Sequence, residues 1–321
     1  MARFYRSYTK NFYPMLMFLP SFLRGFIASL LLVTNTLVMA LPLLVITVLR
    51  FVVPITAWQN LCIKMGMHIG ELWMSINSVW MTLTQGMEWS VEGVDDLHRD
   101  NWYFAVGNHQ SAADIFITQH LLNGRTPMLK FFLKQELIWV PVIGLCWWAL
   151  DFPFMKRYDA SYLKKNPHKR GKDFESTKKS CEKFKQRPVA IMNYVEGTRL
   201  SPAKKKAQKS PFKYVLKPKA GGLGFALSAM GSTIEELLMI SIFYPNHTQP
   251  TSWDFLSGKV NHVCIKVETT KIPSEFINRD YQNDAEYKRL FQQWLSTHWE
   301  GLDATMSELH ELSKQKGWSS K

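Results

Sequence analysis

Residues 25–49 form a run of 25 residues without a charge, bracketed by Arg24 and Arg50. A helix of that length extends about 37 Å at 1.5 Å per residue, more than the ~30 Å of a bilayer's hydrocarbon core. The run is too long and starts too late for a cleaved signal peptide, so it predicts a permanent membrane element. Pro42 stands inside it and is able to kink or break a helix. Arg3, Arg6, Lys10 and Arg24 precede the run, while Arg50 and Lys64 follow it. Counting basic residues puts the N-terminus in the cytoplasm. A single span then carries the rest of the chain across, whereas a broken hairpin returns it to the same face. Both topologies stay open.

The rest of the 321-residue chain must fold around this element. Hydrophobic residues make up 46% and charged residues 20%, which excludes a disordered polymer. The 12 tryptophans suit a protein seated at headgroup level. Cys62, Cys146, Cys181 and Cys264 form no C-x-x-C pair, so neither a metal knuckle nor a redox motif is expected. The net charge of +13 is local: residues 156–219 hold 20 Lys/Arg against 5 Asp/Glu, a net of +15. That stretch predicts an anionic partner, such as phosphate, acidic lipid or nucleic acid.

Three segments follow from the patterning: membrane-anchoring and interfacial helices over 1–87, a catalytic domain over 88–275 and a C-terminal helical segment over 276–321. Residues 55–87 are apolar and sparsely charged, and suit either a membrane-lying amphipathic helix or a core helix. From residue 88 onward, strands and helices alternate. Strands are predicted at 88–93, 102–107, 189–194, 237–244 and 262–268. Helices are predicted at 111–122, 171–186, 221–230 and 284–316. The apolar run 137–150 is too short to span a bilayer. Lys204–Lys206 with Lys209 reads as a flexible basic loop. The alternation argues for an α/β fold with a largely parallel central sheet flanked by helices, preceded by the anchor.

The sharpest local signal is Asn108-His109-Gln110-Ser111-Ala112-Ala113-Asp114, placed between a predicted strand and a helix. Strand ends are where α/β domains present reactive groups. Asp114, one turn into the helix, is able to fold back onto the His109 imidazole, fixing its tautomer and favouring the imidazolium formed when the ring takes a proton. Ser111-x-x-Asp114 is equally a capping box, which leaves His109 an ordinary loop residue. Glu196-Gly197-Thr198-Arg199 follows another strand. There Gly197 permits close backbone approach, and Thr198 and Arg199 are donors for phosphate, the guanidinium bidentately. The same four residues also suit a polar turn with a surface ion pair. Phe154-Met155-Lys156-Arg157 offers a further strand-end cation, and Lys134 in Leu133-Lys134-Gln135-Glu136-Leu137 a weaker one. Lys217-Pro218-Lys219-Ala220-Gly221-Gly222 precedes a helix whose N-terminus is able to receive an anion.

In this order, N-H-x-x-x-x-D, F-x-x-R and E-G-T-R resemble the glycerolipid acyltransferases that make phosphatidic acid from lysophosphatidic acid. The likeness covers about 88–270. The runs 131–139, 149–157 and 170–184 look close to a bacterial inner-membrane branch of that family. The resemblance implies His109 as base and Asp114 as its orienting partner. It also implies Arg157, Glu196, Gly197, Thr198 and Arg199 as acceptor or phosphate contacts, with Lys134 added as a further cation. Two departures stand out. Asp151 occupies the region where the second motif usually begins with Gly, and the Pro-containing fourth motif expected near 238–245 matches weakly.

The implied activity is transfer of a fatty acyl group from acyl-CoA or acyl-carrier protein to a lysophospholipid hydroxyl, with no cofactor and no metal. The implied location is the bacterial inner (cytoplasmic) membrane, with the catalytic domain facing the cytoplasm. Transacylation between phospholipids, or remodelling of another lysophospholipid, needs the same base. A hydrolase lacks its G-x-S-x-G elbow here. A membrane-tethered nucleic-acid-binding protein fits the charge, yet Lys204–Lys206 has no interleaved aromatics and no nucleic-acid motif is present.

Overall fold

The computed structural model describes residues 6–7, 15–155, 180–247, 249–281 and 283–318. The uncharged run becomes one helix, α1 (Ser21–Val52), which carries Pro42 without interruption. A proline inside a helix removes one backbone hydrogen bond. Here α1 is held along its length by a second helix, α2 (Thr56–Thr84). The turn comes after α1, not within it, at 53–55 where Pro54 stops the helix. The two helices run antiparallel. Asn35 donates to Asn77 Oδ1 at 2.9 Å and to the Trp73 carbonyl at 3.0 Å, so its buried amide nitrogen is paired across the hairpin. Phe22, Phe26, Leu30, Leu37, Leu41 and Val45 on α1 stay exposed. By length and composition α1 is able to cross a membrane. α2 combines both sequence readings: Met74 and Trp80 enter the core, while Leu61, Met65, Leu72 and Val79 are exposed.

The strands are β1 (Arg6–Ser7), β2 (Glu88–Glu92), β3 (Tyr103–Gly107), β4 (Leu129–Phe131), β5 (Leu133–Lys134), β6 (Phe154–Met155), β7 (Ala190–Asn193), β8 (Glu236–Phe243) and β9 (His262–Lys271). Seven form one sheet in the order β1-β2-β9-β8-β3-β7-β4, and β5 pairs with β6 separately. The pairings β2–β9, β8–β3, β3–β7 and β7–β4 are parallel; β1–β2 and β8–β9 are antiparallel. The expected α/β fold with a largely parallel, helix-flanked sheet is therefore present.

Side chains alternate across a strand, and the buried residues sort accordingly. Tyr103, Ala105, Ala190, Met192, Leu238, Ile240, Val263 and Ile265 face the hairpin, α3 (Ala113–Leu122) and α7 (Ser252–Leu256). Phe104, Val106, Ile191, Leu237, Met239 and Cys264 face α6 (Gly221–Met230) and α8 (Ala285–Gln315). α8 buries Tyr287, Phe291, Leu295, Trp299, Leu302, Met306 and Leu309, the three- and four-residue spacing of one helix face. The first hydrophobic cluster runs across the segment boundary at 87 and the second across that at 275.

One expectation is corrected. Lys204–Lys206 are not loop residues but lie in α5 (Pro202–Gln208), where Ser201 accepts from the Lys204 N–H and Pro202 opens the first turn. The apolar run 137–150 divides in two: a short 3-10 turn over Gln135–Trp139 ends before Pro141, and α4 (Ile143–Ala149) follows. The 171–186 helix falls mostly outside the described residues.

Candidate active site

The parallel register aligns the ends of three strands. Val106 of β3 lies opposite Asn193 of β7, and Gly107 opposite Ile240 of β8. The segments that leave these ends therefore converge. Asn108 exchanges two hydrogen bonds with the Ile242 backbone, 2.8 and 2.9 Å, extending the β3–β8 ladder through a side chain. His109 is the next residue, and its peptide is gripped on both sides by the loop after β7. Its N–H donates to Glu196 Oε1 at 3.0 Å, and its carbonyl accepts from the Leu200 N–H at 2.7 Å.

The imidazole Nδ1 lies 2.8 Å from Asp114 Oδ2. That oxygen also accepts from the backbone N–H groups of Gln110 and Ser111, at 2.8 and 2.9 Å. The other oxygen, Oδ1, accepts from Tyr244 Oη at 2.5 Å. Two backbone N–H groups, a phenol and the imidazole thus surround a carboxylate with no solvent exposure. The capping and orienting readings coexist here. The carboxylate half of a capping box is made, but the Ser111 hydroxyl accepts from Ala113 N and donates to the Pro250 carbonyl. Tyr194 stacks on the His109 ring at 4.0 Å between centroids, with Phe131 behind it at 6.2 Å. Burial, and second the Asp114 carboxylate, hold the phenols of Tyr194 and Tyr244 well above their ordinary range. Among the described residues the second ring nitrogen of His109 makes no hydrogen bond.

Glu196 is fully buried, and its second oxygen accepts from the Leu216 N–H at 2.9 Å. Burial pushes its carboxyl up to about 8, against the pull of the two amide donors. Both oxygens are thus engaged by backbone, which makes Glu196 a brace behind His109. α8 secures the other end of that brace: Trp299 Nε1 donates to the Leu216 carbonyl at 2.9 Å, and Asp303 accepts from the N–H groups of Lys213 and Tyr214. Gly197 closes the turn at φ 71°, a conformation that favours glycine. The Thr198 hydroxyl accepts from Lys204 Nζ at 2.6 Å, whereas the Arg199 side chain is exposed. Lys134 is exposed on β5, opposite Met155 of β6. Arg157 lies outside the described residues.

A family model described as acyltransferase matches residues 88–256, more than half of the chain. The chain belongs to the acyltransferase family. The resemblance carried by the three motifs is thereby borne out, and the chain is an acyltransferase-type enzyme. It is 26% identical over 200 residues to 1-acyl-sn-glycerol-3-phosphate acyltransferase gamma of mouse and of human, covering 59% of this chain and 46% of each relative. It therefore spans about half the length of those proteins. Its fold is shared with the crystal structure of the 1-acyl-sn-glycerophosphate (LPA) acyltransferase PlsC from Thermotoga maritima. The TM-score is 0.51 at 17% identity, over 91% of this chain and 98% of that one.

Sequence reading missed Tyr244, Tyr194 and Asn108. Tyr244 falls within the weakly matched fourth motif, one residue past β8, and its partner is 130 positions away. Only the β8–β3 pairing brings the two together. Asp151, where the second motif usually has Gly, adopts φ 55°, so the site keeps a glycine-like backbone with an aspartate.

Proposed function

We propose that the enzyme transfers a fatty acyl group from a thioester, on coenzyme A or acyl-carrier protein, to the free hydroxyl of a lysophospholipid, giving phosphatidic acid when the acceptor is lysophosphatidic acid. The observation that carries this reading is the His109–Asp114 pair: one ring nitrogen bound to a buried carboxylate, the other unbonded, beside a loop that exposes Arg199. The free nitrogen removes the acceptor's hydroxyl proton as the oxygen attacks the thioester carbonyl. The tetrahedral adduct collapses, the C–S bond breaks, and the thiolate leaves with the proton returned by the imidazolium. No acyl-enzyme is required. Arg199, with Arg157 and Lys134, is the proposed phosphate anchor. The names of the curated relatives support the acceptor class.

In the same reading the α1–α2 hairpin seats the enzyme in the bacterial inner membrane, with its catalytic face toward the cytoplasm. Supporting it, Trp139 is 85% exposed, and Trp148 of α4 stacks on Phe51 of α1, which extends the apolar face of the hairpin. Indoles favour headgroup depth.

The test uses membranes carrying wild type, His109→Ala or Arg199→Ala at matched expression, with labelled acyl-CoA and lysophosphatidic acid. Wild type should form phosphatidic acid. His109→Ala should lose roughly 10²–10⁴-fold in rate, and Arg199→Ala should chiefly raise the acceptor KM. Equal rates for wild type and His109→Ala would refute the base. Transfer that proceeds from phospholipid without a thioester would replace this reading by transacylation.

A further inference from the structure

A second dense set of charges lies at the other end of β7. Lys130 sits on β4, the edge strand, and points to the face opposite Leu129 and Phe131. It is 5% exposed; its Nζ donates to the Leu150 carbonyl at 2.7 Å and lies 4.9 Å from the Phe184 ring. Arg50 from the end of α1, with Lys183 and Arg187 from the segment before β7, lines the same cavity. Among the described residues Asp151 is the one carboxylate in that lining, and it accepts from Arg50 at 3.1 Å and from Lys183 at 2.6 Å. Four cations against one carboxylate leave a net of +3. Arg187 donates to Asn60 through Nη2, while its Nη1 is buried and has no hydrogen-bond partner among the described residues.

Such an excess is costly to enclose without a counter-charge. Burial pulls Lys130 down to about 8; Asp151 opposes this, and Lys183, Arg50 and Arg187 add to it. The cavity, about 190 Å³, far exceeds the roughly 10–15 Å³ that one water needs on that measure. It therefore has room for a multi-atom anion. Asn60 and Arg50 belong to the hairpin tip, next to the exposed Phe51, Val52 and Ile55.

We infer that this cavity is a second phosphate site, separate from the His109 centre, which holds a phosphate ester between Lys130, Arg187 and Arg50. It is separate because Arg187 and Val189 enter β7, whereas Tyr194 and Glu196 leave it. The extended chain from Val189 to Asn193 alone spans roughly 13 Å. The phosphate is carried either by an anionic phospholipid at the hairpin tip or by a soluble ester, and the chemistry that binds it is the same. The inference does not depend on the acyl-transfer reading.

The test is binding, not turnover. Full-length protein in neutral detergent is titrated with inorganic phosphate and, separately, with dihexanoylphosphatidic acid, following the melting temperature. All proteins carry Arg199→Ala, which removes the exposed guanidinium of the other centre. Saturable stabilisation is expected, with the half-saturating concentration raised tenfold or more by Arg187→Gln or Lys130→Met. Lys183→Glu, at the exposed rim, should raise it several-fold and keeps the test valid if Lys130→Met fails to fold. A response to the lipid alone supports the site with a headgroup as its source; a response to both supports it with free phosphate competing. No saturable response to either probe, or half-saturation unchanged in Arg187→Gln and Lys183→Glu, would overturn it.

Discussion

The two ends of β7 hold ionisable clusters of opposite character. At the C-terminal end, Asp114 has four donors and Glu196 has two, so each buried carboxylate is met by protein. At the N-terminal end, among the described residues, the cations outnumber the one carboxylate and a buried guanidinium nitrogen is unpaired. The first arrangement is preorganised: its groups are already oriented and need nothing more to hold the imidazole. In the second, Arg187 Nη1 has no partner among the described residues, and it lies in a cavity where cations predominate, which is the setting an anion would complete. Electrostatic density alone does not separate a base's support from a receptor for an anion. Whether each buried charge is met by a partner does.

The contrast breaks most severely at Asp114. Asp114→Ala leaves the imidazole Nδ1, the Tyr244 hydroxyl and two amides facing an empty acceptor position. Acyl transfer should fall about 10²–10⁴-fold, the loss of an oriented base, and the melting temperature should drop. An Asp114→Ala enzyme with wild-type rate would show that His109 needs no carboxylate.

Glu196→Gln sharpens the comparison. The amide keeps one acceptor but turns a donor toward the other N–H, at a cost of ~1–3 kcal/mol. Glu196 also carries a pH signature. In the folded chain its carboxyl holds its proton to about 8, while in the unfolded chain it loses it near 4.5. Between those values the folded state binds the extra proton. Glu196's contribution is therefore fully present below 4.5 and lost as pH rises through about 8, with a slope approaching ~1.4 kcal/mol per pH unit. Denaturation midpoints measured across that window should show a decline that Glu196→Gln lacks. Parallel profiles for the two proteins would remove Glu196 from the account.

The smallest effect belongs to the other end. Without phosphate, Arg187→Gln removes one of several mutually repelling cations together with the bond to Asn60. Its stability should stay within about 1 kcal/mol of wild type, because removing a cation from an uncompensated cluster relieves repulsion. A loss of several kcal/mol on melting would mean that the basic cluster is as satisfied as the carboxylates.

Much of this was legible in one dimension. The charge-free run, the alternating strands and the 284–316 amphipathic pattern each became the element expected, because those signals are periodic and local. The His109–Asp114 pair was legible for the same reason: five residues across a strand-to-helix junction place the two side chains together whatever surrounds them. The helix over Lys204–Lys206 was signalled too, by the Ser201 cap and Pro202 in its first turn. Pro141 marked the break in 137–150.

What lay beyond reach shares one property: the partner is distant in sequence. Tyr244 meets Asp114 only because β8 lies beside β3 in parallel register. Glu196 meets Leu216 only because α8 pins that loop through Trp299 and Asp303. The basic cavity needs the end of α1, the edge strand β4 and the entrance to β7 in one place. By itself the sequence determined most of the elements, the long charge-free helix and the pairing of His109 with Asp114, since these follow from short-range periodicity and spacing. Only the tertiary structure decided which carboxylates are braced and which cations are left without counter-charge, because strand order and register, set by the packing of whole faces, choose each buried group's neighbours.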